Sequence, residues 1–497
     1  MRTSNLVLFP LLLLLAAQGA PSGGGTGGEG RTAGSVRGAG RGPVGGGGGD
    51  DPFFRKGVRA SRPPKPPLSH FAALRKELRG RCGNGVILVR GAVTRTDYLA
   101  FCQNQSFYYL TGINEPNCDL LMIPGTGEEI LFVPPSNRFT AEWEGEGLKP
   151  GKEGERETGI RTVRAGSSRI LLRELAAALE RCGDEKRIWV EFAPEAVGPE
   201  GQDQLRRATT AWRKDPLDGR RHRNEALVDA LRKRFPEAEV RNLTPHLNDM
   251  RMIKREAEIP VLEYAARLAC LGIAEAMKAV RPGQMEWEVA AVADYVFRRH
   301  GAWGQAYQPI VGAGPNGCIL HYWRMNSEVK KGQLIVMDFA PIVGGYAADV
   351  TRTFPVGGKF GKKERQVVLD VWNAQREILK VIRPGVSFGK LDAVGRRYLR
   401  ARGYEPRIHI KHGPSHHLGM AVHDVGGRNP WILRKGMYIT VEPGVYLAKE
   451  GIGCRIEDDV LVTEDGYRLL SVGCPSHPDE IEALMKRSGM AEVPTGR

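Results

Sequence analysis

From about Met250 the chain repeats itself once, and this duplication restricts its fold more than any other feature. Arg281-Pro282-Gly283, Ala291-Val292, Arg298 and Gly301 recur 102 residues later as Arg383-Pro384-Gly385, Ala393-Val394, Arg400 and Gly403. Glu275, Lys278 and His321 recur at the same offset as Glu377, Lys380 and His423. A further shift of two residues places Lys331-Gly332 on Lys435-Gly436, and Asp338 on Glu442. Each copy reads as helix, R-P-G turn, helix, strands. Two copies are too few for a solenoid. The pattern predicts a duplicated domain packed about a pseudo-twofold axis, where a site would draw ligands from both halves.

Acidic residues interrupt the apolar strands of this unit. Asp338 lies in Leu334–Phe339, Asp349 follows Ala347-Ala348, Glu442 follows Tyr438–Val441, and Glu457 stands before Asp458 and Asp459. Singly, each acid reads as a surface salt-bridge partner. As a repeat-related set in strands that should be buried they need a strong cation, because a buried unpaired carboxylate is costly. His416, in His412-Gly413-Pro414-Ser415-His416-His417, adds one nitrogen donor. Four carboxylates and one imidazole suit two divalent metals bridged by carboxylates. The oxygen-rich set favours Mn²⁺, with Co²⁺, Fe²⁺ or Zn²⁺ as alternatives.

The first half of the chain has a different character. Residues 1–20 read as a secretory signal peptide: Arg2, then a 12-residue apolar run from Leu6 to Ala17, too short to span a bilayer comfortably. Residues 21–68 form a Gly- and Pro-rich tether, with 15 glycines between positions 21 and 50. An α/β pattern follows over residues 69–248, with strands expected at Val86–Val89, Leu120–Ile123, Ile130–Val133 and Arg187–Phe192. A helix is expected over Ile170–Cys182, with Leu171, Leu175, Ala178 and Leu179 on its apolar face. The basic stretch 206–223 reads as a solvated loop, with an anion site as the alternative. Residues 249–485 are the duplicated unit and 486–497 a tail. None of the eight cysteines forms a C-x-x-C pair, so zinc-knuckle and thioredoxin-type motifs are excluded and most read as buried free thiols. The sequons at Asn104 and Asn242 matter only in a source that glycosylates. Of the net charge of +15, +6 lies in residues 1–65. The rest is mild and not interleaved with aromatics, which argues against nucleic-acid binding. The composition excludes a collagen, a coiled coil, a multi-span membrane protein and a wholly disordered chain.

At the acidic set the sequence resembles the pita-bread metallopeptidases, and within them aminopeptidase P (Xaa-Pro aminopeptidase). The likeness is carried by Asn316-Gly317-Cys318-Ile319-Leu320-His321-Tyr322, by the His412–Gly426 segment, and by Val441-Glu442-Pro443-Gly444-Val445-Tyr446 with Arg455-Ile456-Glu457. Upstream, Phe107-Tyr108-Tyr109-Leu110-Thr111-Gly112 and Phe132-Val133-Pro134-Pro135 resemble that family's N-terminal domain. His417 and Ala421 depart from the family pattern, where an aromatic and an acidic residue are usual. The resemblance implies a creatinase-like mixed α/β domain followed by a pita-bread catalytic domain. It implies that Asp338 chelates one metal, that Asp349 and Glu457 bridge both, and that His416 and Glu442 complete the second. It further implies attack of a metal-bridging hydroxide on the carbonyl before proline. His321 and His423 would then shuttle protons or stabilise the oxyanion, His412 would line the pocket, and Arg455 would support a ligand. The expected partners are peptides with proline in second position, with self-association through the N-terminal domain and no stable membrane span once the signal is cleaved. Prolidase, a dipeptidase of the same fold, is the nearest alternative. Ser415 and the Asn316–Tyr322 string lean against it. Methionine aminopeptidase lacks the long N-terminal domain, and a non-catalytic binding module of this fold would have lost ligands.

Overall fold

Alternation along three strands sets the architecture of the first domain. In β1 (Val86–Arg90), β2 (Asp119–Ile123) and β3 (Glu128–Val133), Ile87, Val89, Leu120, Met122, Leu131 and Val133 enter one core cluster. Their neighbours Val86, Leu88, Leu121, Ile123, Ile130 and Phe132 enter another. A strand covered on both faces needs such a continuous apolar run. The computed structural model describes residues 62–489 apart from 98, 136–137 and 427–431. The signal-peptide reading, most of the tether and the end of the tail lie outside the described residues.

With β4 (Thr162–Ala165), β5 (Arg187–Val190) and β6 (Glu239–Asn242), these strands form one sheet in the order β4-β3-β2-β1-β5-β6. The β1–β2 and β2–β3 pairs are antiparallel and the others parallel, so the sheet is mixed. Helices α1 (Leu68–Cys82) and α2 (Gln105–Thr111) cover one face, and the short α3 (Arg138–Glu144) and α4 (Lys152–Thr158) join β3 to β4. On the other face lies α5 (Ser168–Glu180), capped by Ser167 and burying the expected Leu171, Leu175, Ala178 and Leu179. After β5 come α6 (Gln202–Lys214) and α7 (Arg223–Arg234), and α8 (Thr244–Met252) leads out of the domain.

The helix α2 fastens the two domains together. Asn104 caps its start by accepting from the Phe107 amide at 2.9 Å, and Gly112 ends it at φ 67°. A Cβ at Gly112 would stand 2.5 Å from the Phe71 ring, so the turn requires glycine. Tyr109 donates its hydroxyl to the Met250 carbonyl at 3.0 Å, and Tyr108 stands edge-on to Trp303 at 5.3 Å. The Asn104 side chain is buried in this cap and is no open glycan acceptor.

The repeat is visible as two similar halves. Helices α9 (Ile259–Ala279) and α10 (Glu286–Arg299) pack on each other, as do α11 (Lys362–Leu379) and α12 (Phe388–Arg400). The R-P-G turns between them place Gly283 and Gly385 at φ 92° and 87°. The repeated Glu and Lys form matching ion pairs, Lys278–Glu275 and Lys380–Glu377. Strands β7 (Gly304–Gln305), β10 (Pro341–Val343) and β11 (Tyr346–Ala347) form a small sheet. In the first half β8 (Ile310–Ala313), β9 (Leu334–Asp338) and β12 (Thr351–Pro355) pair antiparallel in the order β12-β9-β8. In the second, β13 (Tyr438–Val441), β16 (Asp458–Val462) and β17 (Tyr467–Leu469) do the same, beside the hairpin β14 (Gly444–Leu447) and β15 (Ile452–Arg455). The halves meet where the Glu457 amide donates to the Thr351 carbonyl at 3.0 Å. A last helix, α13 (Pro478–Leu484), closes the described chain. All eight cysteines are free, six of them buried. No helix among the described residues is long and apolar enough to cross a membrane.

Candidate metal centre

Each acidic side chain comes from a strand end that the duplication places at the seam. Asp338 closes β9, Asp349 lies between β11 and β12, Glu442 follows β13, and Glu457 joins β15 to β16. All four, with His416, His321, His412, His423 and Arg455, line one cavity of about 940 Å³. The sequence-predicted residues are therefore brought together without exception.

Ligand atoms of Asp349, His416 and Glu457 lie within 4.8 Å of one another, as those of a metal site must. His416 Nε2 stands 3.4 Å from Asp349 and 3.3 Å from Glu442. Its Nδ1 faces the His417 carbonyl at 3.1 Å, and a proton there leaves Nε2 as the donor atom. Asp338 accepts from Arg455 and from Tyr307, and the same Tyr307 hydroxyl reaches Asp349 at 2.7 Å. Glu457 accepts from Thr351 at 2.6 Å.

Arg455 is the lone guanidinium paired with a cluster carboxylate among the described residues. The acids are shifted upward by burial first, and by one another's charge where the cluster is tightest. Burial, opposed by Arg455, raises Asp338 to about 6. Burial raises Glu442 to about 7, and Glu457, facing Asp349 and Glu442 as well, lies far above the usual carboxylate range. Burial alone would lower His416, but the hydrogen bond to Asp349 and the charge of Glu442 lift it to about 9. The donor set of four carboxylates and one imidazole fits divalent cations.

The remaining imidazoles surround this cluster. His423 meets the His416 ring edge-on at 4.5 Å and faces Asp203. His321 is exposed to the cavity, and its pKa is lowered first by burial and then by Arg455. His412 holds the Tyr446 hydroxyl at 2.8 Å, and burial brings it down to about 4. Arg455 touches Asp338, Tyr446 and Thr351, the supporting place expected of it.

Sequence reasoning missed several contributors. Tyr307 and Thr351 lie in none of the segments that carried the resemblance, since one hydroxyl among apolar residues gives no periodic signal, and Tyr446 lay within one but was given no role. Asp458 and Asp459 are buried but structural: Asp458 pairs with Arg352 at 2.7 Å, and Asp459 accepts from Tyr438. The solvated-loop reading of 206–223 needs correction. Residues through Lys214 are helical, and their basic face lines the cavity. His417, the first departure from the family pattern, is buried against Phe388 at 5.0 Å.

This fold and site define a metallopeptidase of the pita-bread type. Residues 261–464 match the model of metallopeptidase family M24, and residues 71–180 match that of the aminopeptidase P N-terminal domain. The Xaa-Pro aminopeptidase of Escherichia coli is 31% identical, aligned over 77% of this chain and 88% of its own. The solved aminopeptidase PepP of Pseudomonas aeruginosa superposes with a TM-score of 0.71 at 30% identity, covering 85% of this chain and 98% of that one. An Xaa-Pro dipeptidase of Pyrococcus horikoshii is also 31% identical, but over 49% of this chain and 69% of its own. The chain belongs to the aminopeptidase P family.

Proposed function

We propose that this chain is an aminopeptidase that hydrolyses the bond between an N-terminal residue and a proline that follows it. The carrying observation is the convergence of five predicted metal donors and three further predicted histidines on one cavity at the seam of the repeat. The likeness to aminopeptidases spans both domains, whereas that to the dipeptidase stops at about half the chain, which favours the first reading over prolidase.

Asp338, Asp349, His416, Glu442 and Glu457 would hold two divalent cations, Mn²⁺ before Co²⁺, Fe²⁺ or Zn²⁺ on donor chemistry. Bound there, the cations supply Lewis acidity to the scissile carbonyl and lower the pKa of water. The chain's own residues do the rest. The proline nitrogen is a tertiary amide and leaves only once protonated. His321 and His423, outside the donor set, are placed to deliver that proton or to stabilise the oxyanion. Tyr307, Thr351 and Arg455 fix the carboxylate orientations through their hydrogen bonds. His412, tied to Tyr446, shapes the pocket wall.

The test is cleavage of an Xaa-Pro-Xaa tripeptide against an Xaa-Pro dipeptide, each with a metal-stripped control. Turnover of the tripeptide alone, lost on chelation and restored by Mn²⁺, is expected. Preference for the dipeptide would assign a prolidase, and full activity without metal would overturn the reading. The same proposal includes export directed by residues 1–20, checked by sequencing the mature N-terminus. It also includes self-association through the N-terminal domain, checked by light scattering.

A further inference from the structure

The peptidase reading leaves α6 without a part. Its first turn is fixed beside the catalytic loop. Asp203 lies 3.4 Å from His423 Nδ1, and Gln202 exchanges hydrogen bonds with Asn248 on α8 at 3.4 Å. A Cβ at Gly201 would stand 3.5 Å from His423, so the two segments are in near contact. Beyond that turn, Arg206, Arg207, Thr210, Ala211 and Lys214 share one helical face, and this face lines the cavity that holds the carboxylates. Arg207 is partnered by Asp203 at 3.1 Å, but no carboxylate among the described residues lies within 4.0 Å of Arg206 or Lys214. On another face of the same helix Arg213 is paired with Glu225 at 2.7 Å. Arg206 donates to the Gln202 carbonyl of its own helix at 3.2 Å, and neither it nor Lys214 has an ion-pair partner among the described residues, so both charges remain available to an anion.

The lining of the cavity joins the carboxylates of the metal centre to the cations of α6. In the proposed reaction a peptide enters amino end first, so a carboxylate behind the proline stays clear of the metal donors and within the same cavity as the cations of α6. We propose that α6 is an anion-reading wall of the substrate site, on which Arg206 and Lys214 bind a substrate carboxylate downstream of the scissile bond. The proposal rests on the peptidase reading and adds the substrate class: peptides with a C-terminal carboxylate, or an acidic side chain, close behind the proline.

Four peptides separate these sources: Ala-Pro-Ala-Ala as free acid and as amide, and the amides of Ala-Pro-Glu-Ala and Ala-Pro-Gln-Ala. The metal-loaded wild type should favour an anionic member over its neutral counterpart by about threefold to tenfold in kcat/KM, the range of exposed and charge-assisted pairings. The preference should reside in KM and shrink as salt rises. In R206Q/K214Q the ratio should fall to near one, and in Lys214→Glu below one. Both side chains are exposed, and thermal melting confirms that each variant folds. Preference for the free acid alone assigns the terminus as the ligand, and preference for the Glu peptide alone assigns the side chain. A ratio near one in the wild type, or one unchanged in both variants, overturns the wall and leaves the peptidase reading standing. Failure to cleave any of the four overturns that reading and the wall with it.

Discussion

His423 and His321 occupy equivalent positions in the repeat, yet their surroundings differ. His423 is held between Asp203 and the His416 ring, whereas His321 faces the open cavity. If both serve the leaving nitrogen, His321→Ala and His423→Ala should keep their metal and lose turnover by roughly 10²–10⁴-fold, the usual contribution of a positioned acid or base. Bound metal, melting temperature and turnover measured on each variant check this, and wild-type turnover in both would remove the role. A third histidine, outside the cavity lining, contributes to acid stability. His70 on α1 is buried with no hydrogen-bond partner for Nε2, and burial followed by the charge of Arg255 lowers it from 6.5 to about 4. Between those values the unfolded chain takes up a proton that the folded chain refuses. The contribution of His70 to stability is therefore full above about pH 6.5 and declines as pH falls towards 4. In metal-free protein, His70→Gln should flatten the fall in denaturation midpoint over that range. An unchanged slope would contradict the assignment.

Elements were legible in the sequence where a period or a turn residue marked them. The apolar face of α5 was read residue for residue, and the R-P-G turns located both helix pairs, because only glycine meets the left-handed backbone they need. The helix α6 was missed for a physical reason: it buries only Gln202 and Thr209, so no apolar stripe announced it. Its role depends on where the following elements place it, which local sequence does not encode. The loop from His416 to Asp424 was legible as a motif but not in its anchorage. Asp424 is buried between Arg251 of α8 and Lys254, at 2.5 and 3.5 Å, and so ties the loop carrying His416 and His423 to the domain boundary. Burial lowers the Lys254 pKa, and Asp424 opposes that shift. Asp424→Asn would leave two cations buried without their counter-ion, a change that costs about 3–5 kcal/mol in comparable pairs. Urea denaturation should show a loss of that order, and a loss within error would mean that the triad is not an anchor.

Across the whole molecule, the duplication couples metal binding to the packing of its two halves. Asp338 and Asp349 come from the first half, and His416, Glu442 and Glu457 from the second. Without cations the buried carboxylates lie close across the seam, and burial together with their mutual charge raises Asp338 and Glu457 above the usual carboxylate range. Cations that bind the assembled site and not the unfolded chain should therefore raise the melting temperature, by about 2.7 kcal/mol of stability at a free concentration one hundred times Kd. Asp338→Ala and Glu457→Ala each remove one carboxylate from opposite sides of the seam. In both variants the donor set is broken, and Asp338→Ala also leaves buried Arg455 without its closest carboxylate, so the metal-free form of each variant serves as its own baseline. Added Mn²⁺ should then raise neither. Calorimetry with and without the ion, read beside metal content, separates this from simple misfolding. A variant that still gains stability from Mn²⁺ as the wild type does would show that the carboxylate it lacks is not a metal donor.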